Sequence, residues 1–262
     1  MTDPSASSRD VLRQTLVVLG AIGAPLTSNI AALTGRGRTI SEQSELSDTL
    51  LVPAGTAFAI WGPIFLGLVA YAVIQGLPRN RARAAYRRTG WWAAASLWLI
   101  CAWSFAAAFP PVALSRWLTA LIFVPAMLAA CFAAWRFAEE RAALSVWERA
   151  LSAGSVSLLA GWCSLAVFLN WAQLGVVGPL GFGLSETVVC LLTLALALAW
   201  IAFALHRARG SLAYVFPPLW GLGFLALARL SGDEPSAVIA YAALGGIGVL
   251  VVSTLIARRR RV

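Results

Sequence analysis

Acids, bases, nucleophiles and metal ligands set close together are what chemistry needs, and this chain has few of them. Its 262 residues include one histidine, His206, and no lysine. Without a lysine there is no amine for a Schiff base, which removes a retinal-type photoreceptor. The four cysteines, Cys101, Cys131, Cys163 and Cys190, fall singly in four different apolar stretches. They lack metal-ligand spacing and read as small apolar side chains, so neither a metal nor a cofactor is expected. Polar groups at membrane depth are costly and usually functional. Those available are Asn29, Gln75, Asn170, Gln173 and Glu186. Glu186 reads either as a carboxylate favoured by a helix N-terminus or as a counter-charge for a substrate or proton. His206, beside Arg207, suits a helix end, and Arg229 is expected to snorkel outward. No pair of these makes a catalytic constellation, so no catalytic residue is expected.

Aromatic side chains carry more. Among 12 Trp and 12 Phe, Trp91, Trp92 and Trp147 sit at the ends of apolar stretches, where indoles belt a membrane interface. Trp61, Trp98, Trp103, Trp117, Trp162 and Trp220 fall inside or just within such stretches. Core packing accounts for buried indoles, and so does a cavity walled for a flat apolar ligand.

The elements that must position these rings are eight apolar stretches, about 11–33, 57–77, 91–109, 116–138, 150–172, 184–206, 211–229 and 236–257. About 20 helical residues cover a hydrocarbon core, and in lipid only a self-satisfied backbone can cross. The fold class expected is an all-α polytopic membrane bundle of eight spans. Sixteen of the 20 basic residues, all Arg, lie on alternate loops and at both ends; Arg36, Arg38, Arg116 and Arg229 lie on the other side. Positive loops stay in the cytoplasm, which puts both termini there. The net charge of +9 follows from this topology and from attraction to anionic lipid, with no nucleic acid partner. A mean hydropathy of +0.80 with 12% charged residues leaves no room for a large soluble domain. The first stretch lacks a small-x-small exit and reads as a retained anchor rather than a cleaved signal.

Segment 34–56 is long enough to fold over the mouth of a cavity, although a solvated connector is the simpler expectation. Segment 136–149 reads as a helical extension with opposite charges at close spacing. Gly175, Gly178, Gly181 and Gly183, with Pro179, read as a turn and not as a phosphate loop. No internal repeat is visible, against an inverted-repeat transporter. Gly20, Ala24 and Ser28 lie four apart, a small-residue stripe that serves either a homodimer or internal packing. Pro25 predicts a kink, with Thr27, Ser28 and Asn29 available to freed carbonyls.

The run Pro53–Phe65 resembles the start of the second helix of the translocator proteins, or tryptophan-rich sensory proteins (TspO/MBR), with Trp61, Ile64 and Phe65 in the family's Trp, Leu and Tyr places. Trp162, Ala166, Leu169 and Asn170 are similar to the family's Trp-x3-Ala-x2-Leu-Asn. Trp103-Ser104 with Phe105 matches its third helix in part, and Trp117 stands where the family has a ligand-facing Trp. Two places differ: Ile100 replaces an Asn, and Leu159-Ala160-Gly161 replaces a Pro-Tyr pair. The resemblance implies a five-helix core over 1–172, three added helices over 173–262 as in a long bacterial branch, and an inner-membrane location. It also implies binding of a lipophilic molecule such as a porphyrin or sterol. Phe58, Trp61, Phe65, Trp103, Trp117, Trp162, Ala166 and Leu169 would form the wall. Asn170 would bond to the ligand or to a neighbouring helix backbone. A proton- or ion-coupled transporter relying on Glu186 and Asn29 is the rival, followed by a lipid-active enzyme and a structural partner protein.

Overall fold

A backbone that crosses lipid must close its own hydrogen bonds, and every regular element among the described residues is a helix. The computed structural model describes residues 7–46, 49–176 and 183–259. In chain order the helices are α1 Ser8–Ser28, α2 Ile30–Thr34, α3 Ile40–Glu45, α4 Trp61–Gly76, α5 Ala84–Ala108 and α6 Val112–Glu139. There follow α7 Val146–Glu148, α8 Ser155–Val176, α9 Glu186–Arg207, α10 Leu212–Ser231 and α11 Ala237–Arg259. A 3-10 turn, Gly55–Ile60, leads into α4, and a π-helical turn, Arg149–Gly154, joins α7 to α8. Eight of the resulting helical stretches are long and apolar enough to cross a membrane. The chain is a multi-pass membrane protein.

Three boundaries differ from the hydropathy reading, each for a local reason. The first span stops at Ser28 rather than 33, because Asn29 leaves helical geometry at φ −107°, ψ 14°. Its Nδ2 donates to the Pro25 carbonyl at 2.9 Å and Thr27 Oγ1 to that of Gly23 at 2.9 Å. The third span starts at Ala84 rather than 91 because its arginines are paired: Arg87 with Asp10, and Arg88 with Glu139 and Glu140. The fifth runs on to Val176, so a division after 172 would cut through α8. The charged segment after α6 is a 3-10 turn, Arg141–Ala143, and not a helical extension, although Arg136 and Glu139 do pair at 2.9 Å. Gly178, Pro179 and Gly181 lie outside the described residues; Gly183 turns with φ +72°.

α1 packs on α4 and α5, α5 on α6, α6 on α8, and α8 returns to α4. α9 and α10 pack on α8, with α11 against both. The Gly20–Ala24–Ser28 stripe packs inside this bundle. A Cβ at Gly20 would lie 2.9 Å from that of Leu97, Ala24 is buried, and Ser28 Oγ is 2.9 Å from Ser104 Oγ. The α8–α10 crossing also depends on glycines. A Cβ at Gly161 would overlap the Tyr214 carbonyl, and one at Gly221 would overlap Leu165.

At the end of the bundle that holds both termini, Arg13 is fully buried. Its Nη2 donates to the Arg81 carbonyl at 2.7 Å, and its Nη1 to the Tyr86 carbonyl at 3.0 Å and Gln75 Oε1 at 3.3 Å. Gln75 Nε2 donates to the Gln14 carbonyl at 3.1 Å, and Arg81 Nε to Gln14 Oε1 at 3.0 Å. These bonds lock α1 to α4 and to the α4–α5 turn.

Candidate functional site

At the opposite end, the 3-10 turn before α4 delivers Phe58 and Trp61 to the middle of the bundle, where α5 brings Trp103, α6 Phe123 and α8 Trp162. Trp61, Trp103, Trp162 and Phe123 are buried. Trp61 lies 6.1 Å from Trp162 in an edge-on contact and 6.4 Å from Trp103, while Trp103 stacks on Phe123 at 5.0 Å. Phe58 meets Trp162 edge-on at 6.3 Å. Such geometries favour aromatic pairs beyond the area they bury. Ala166, Leu169, Asn170 and Gln173 on α8 complete that side of a cavity.

The cavity is a narrow slot with a free volume of about 50 Å³, room for a few waters and far below a drug-sized site. A second hollow of about 200 Å³ lies across Phe58 and Trp61, and Phe65, stacked on Trp61 at 5.0 Å, belongs to that one. Three polar atoms of the slot's lining residues are buried without a hydrogen-bond partner: Trp61 Nε1, Trp103 Nε1 and Gln173 Oε1. Buried polar groups are nearly always paired, so three together on one cavity require an explanation.

Residues 40–46 and 49–53 cover the slot, placing Ile40, Gln43, Ser44, Thr49, Val52 and Pro53 in its lining. This is not a solvated connector, since Gln43, Thr49 and Leu51 are buried. Thr39 and Glu42 cap α3 reciprocally, at 2.7 Å and 3.2 Å; the Thr39 N–H and hydroxyl together hold the Glu42 carboxyl below its ordinary pKa. Arg38 donates to Gln43 Oε1 at 2.8 Å and to the Ala107 carbonyl at 3.1 Å, and Arg116 to the Leu46 carbonyl at 2.7 Å.

The remaining ties come from the C-terminal helices. Glu186 Oε1 accepts the Leu50 N–H at 2.9 Å, Arg229 reaches the Val52 carbonyl at 3.4 Å, and Ala54 N–H donates to the Phe224 carbonyl at 3.3 Å. Trp220 Nε1 donates to the Ala57 carbonyl at 2.9 Å. Glu186 therefore holds the cover as well as opening α9. Arg229 does not snorkel outward; it is 8% exposed and also bonds the Glu234 carbonyl at 2.9 Å. Replacing Glu186 with alanine should raise amide exchange at Leu50 several-fold, as measured by hydrogen–deuterium exchange, because the charged acceptor is lost.

Of the nine wall residues expected from sequence, Phe58, Trp61, Trp103, Trp162, Ala166, Leu169 and Asn170 come together around the slot. Trp117 does not: it sits near the start of α6, 37% exposed, outside the lining. Asn170 Nδ2 donates to the Ala166 carbonyl of its own helix at 2.8 Å. Asn29 is exposed, Gln75 belongs to the Arg13 network, and His206 is exposed in the last turn of α9. Phe123, Gln43 and Ser44 were not singled out in the sequence. A count at helical spacing from the α6 core face would have found Phe123. The cysteines are all free and buried, and no group of metal-ligating side chains occurs among the described residues.

No curated protein and no solved structure matches the chain. The sequence model of the TSPO-like proteins matches residues 12–256, which takes in the aromatic slot, its cover and all three C-terminal spans. The chain belongs to the TSPO-like protein family.

Proposed function

We propose that the aromatic slot binds a hydrophobic, planar ligand, of the size class of a tetrapyrrole or sterol, for sensing or transport across or within a cytoplasmic membrane. The observation that carries this reading is the coincidence of three buried indoles with three unpartnered polar atoms among the residues lining one covered cavity. A ligand edge carrying acceptors would satisfy Trp61 Nε1 and Trp103 Nε1, and one donor would satisfy Gln173 Oε1. The aromatic faces would supply the apolar contact.

A slot of about 50 Å³ cannot take such a ligand while the cover is down. Entry requires the cover formed by residues 40–46 and 49–53 to lift and the Phe58–Trp61 partition to move toward the neighbouring hollow. The reading thus includes a closed state that excludes the ligand. No catalytic role is proposed, because the slot's lining has no acid, base or nucleophile pair. The distribution of arginines supports cytoplasmic termini in a bacterial inner membrane.

The test is titration of the purified protein in lipid nanodiscs with protoporphyrin IX, followed by tryptophan fluorescence. Saturable quenching is expected. Trp162→Ala should weaken binding about tenfold, equivalent to about 1.4 kcal/mol, while Trp117→Ala, outside the slot, should leave the affinity unchanged. Equal affinity in wild type and Trp162→Ala would overturn the reading.

A further inference from the structure

Four arginines converge where the structure provides no counter-charge. At the end of the bundle where α1 begins and α11 ends, a further cavity of about 310 Å³ opens between α6, the π-helical turn, the α9–α10 turn and α11. Arg141, Arg149, Arg209 and Arg258 line it together with Ser157 and Ser211, and no Asp or Glu is part of the wall. Several other arginines at this end do have a carboxylate partner. Arg83 pairs with Glu148, Arg87 with Asp10, Arg88 with Glu139 and Glu140, and Arg136 with Glu139. No ion pair involves any of the four pocket arginines among the described residues.

The backbone is shaped to hold them. Arg209 takes a left-handed conformation, φ +51°, which is uncommon for a residue with a Cβ. Gly210 follows at φ +61°, where a Cβ would lie 2.8 Å from Arg258 Cγ. Only a glycine lets α11 come close enough to bring Arg258 beside Arg209. Arg149 is steadied by an Nε–H donated to the Arg141 carbonyl at 3.1 Å. The first residues of α10, Leu212 and Ala213, also line the cavity. Their amides precede the first intrahelical bonds, at the positive end of the helix dipole.

Guanidinium groups gathered without carboxylates repel one another, and the planar fork of arginine matches the oxygens of a phosphate. We propose that this pocket binds a phosphoryl group, held by Arg141, Arg149, Arg209 and Arg258 with the Ser157 and Ser211 hydroxyls beside it. The group comes either from the headgroup of an anionic phospholipid or from free phosphate. The site is separate from the aromatic slot and does not depend on what that slot binds.

Two arms separate the sources. In the first, the full chain in mixed micelles is titrated with phosphatidylglycerol, and retained lipid is counted by native mass spectrometry against phosphatidylcholine. In the second, inorganic phosphate is titrated at constant ionic strength and followed by phosphorus NMR line broadening. Saturable binding in the first arm alone assigns a lipid headgroup; binding in the second assigns free phosphate. The double variant Arg209→Gly with Arg258→Gln should weaken whichever signal is seen about tenfold or more. Arg79→Gln removes an exposed, unpaired charge at the same end of the bundle and should leave that signal unchanged. Equal loss in both variants would show only diffuse attraction to positive charge and would overturn the site, as would no binding in either arm. The wild-type titrations stand even if the double variant does not fold.

Discussion

Replacing Arg13 with alanine should cost about 3–5 kcal/mol of stability, the range for removing one partner from a buried charged cluster. The change strands the carbonyls of Arg81 and Tyr86, frees Gln75 Oε1 and leaves a void against Gly90, which sits directly on the Arg13 side chain. It also leaves Asp10, now shared by Arg87 and Arg13 at 2.6 Å and 3.7 Å, with one cation. Arg13→Lys keeps the charge but cannot serve three acceptors with a planar fork, so it should fall between wild type and alanine. Thermal unfolding in detergent, followed by tryptophan fluorescence, measures the order. A lysine variant as stable as wild type would mean that the network contributes nothing beyond charge.

Gly161→Val is the second large effect. Any Cβ at this position overlaps the backbone carbonyl of Tyr214, and a carbonyl in a helix has nowhere to retreat. α10 must therefore separate from α8, which also loosens the Gly221–Leu165 contact and the Tyr214 hydroxyl bond to Ser164 Oγ at 2.8 Å. Overpacking costs about 1–3 kcal/mol in adaptable cores, and a backbone clash belongs at or above the top of that range. Loss of the monodisperse peak on size-exclusion chromatography should accompany it. Gly223→Ala is the control: the space around Gly223 is open, and alanine favours a helix, so stability should hold or rise. Matching behaviour of the two variants would contradict the close crossing.

Gly161 also explains one departure from the family pattern. Where the resemblance leads one to expect a Pro-Tyr pair before Trp162, this chain has Leu159-Ala160-Gly161, and the third of these is the residue that admits α10. The five-helix pattern alone could not have shown this, because the constraint comes from a helix about fifty residues further along. The same holds for Arg229. Read alone, an arginine at the end of an apolar stretch snorkels; here its partners, Val52 and Glu234, come from a cover and a loop that hydropathy leaves blank.

The spans themselves were legible because lipid imposes one length and one hydrogen-bonding solution on every crossing. Their charged ends were less so, since whether Arg87 and Arg88 belong to a loop or to a helix depends on carboxylates far away in sequence. Seven of the nine residues named from the motif resemblance line one slot. Trp117 does not, because a motif match supplies a helix but not its rotation. That the slot is narrow was also hidden, since sequence gives ring identity and not the gap between rings.

The stitches from α9 and α10 to the segment above the slot have a kinetic meaning. They exist only while that segment is seated, so on the proposed reading, in which the seated cover excludes the ligand, weakening Glu186 or Arg229 would speed entry and raise affinity while leaving departure little changed. The last third of the molecule would then set how readily the slot opens, from helices that contribute nothing to its lining.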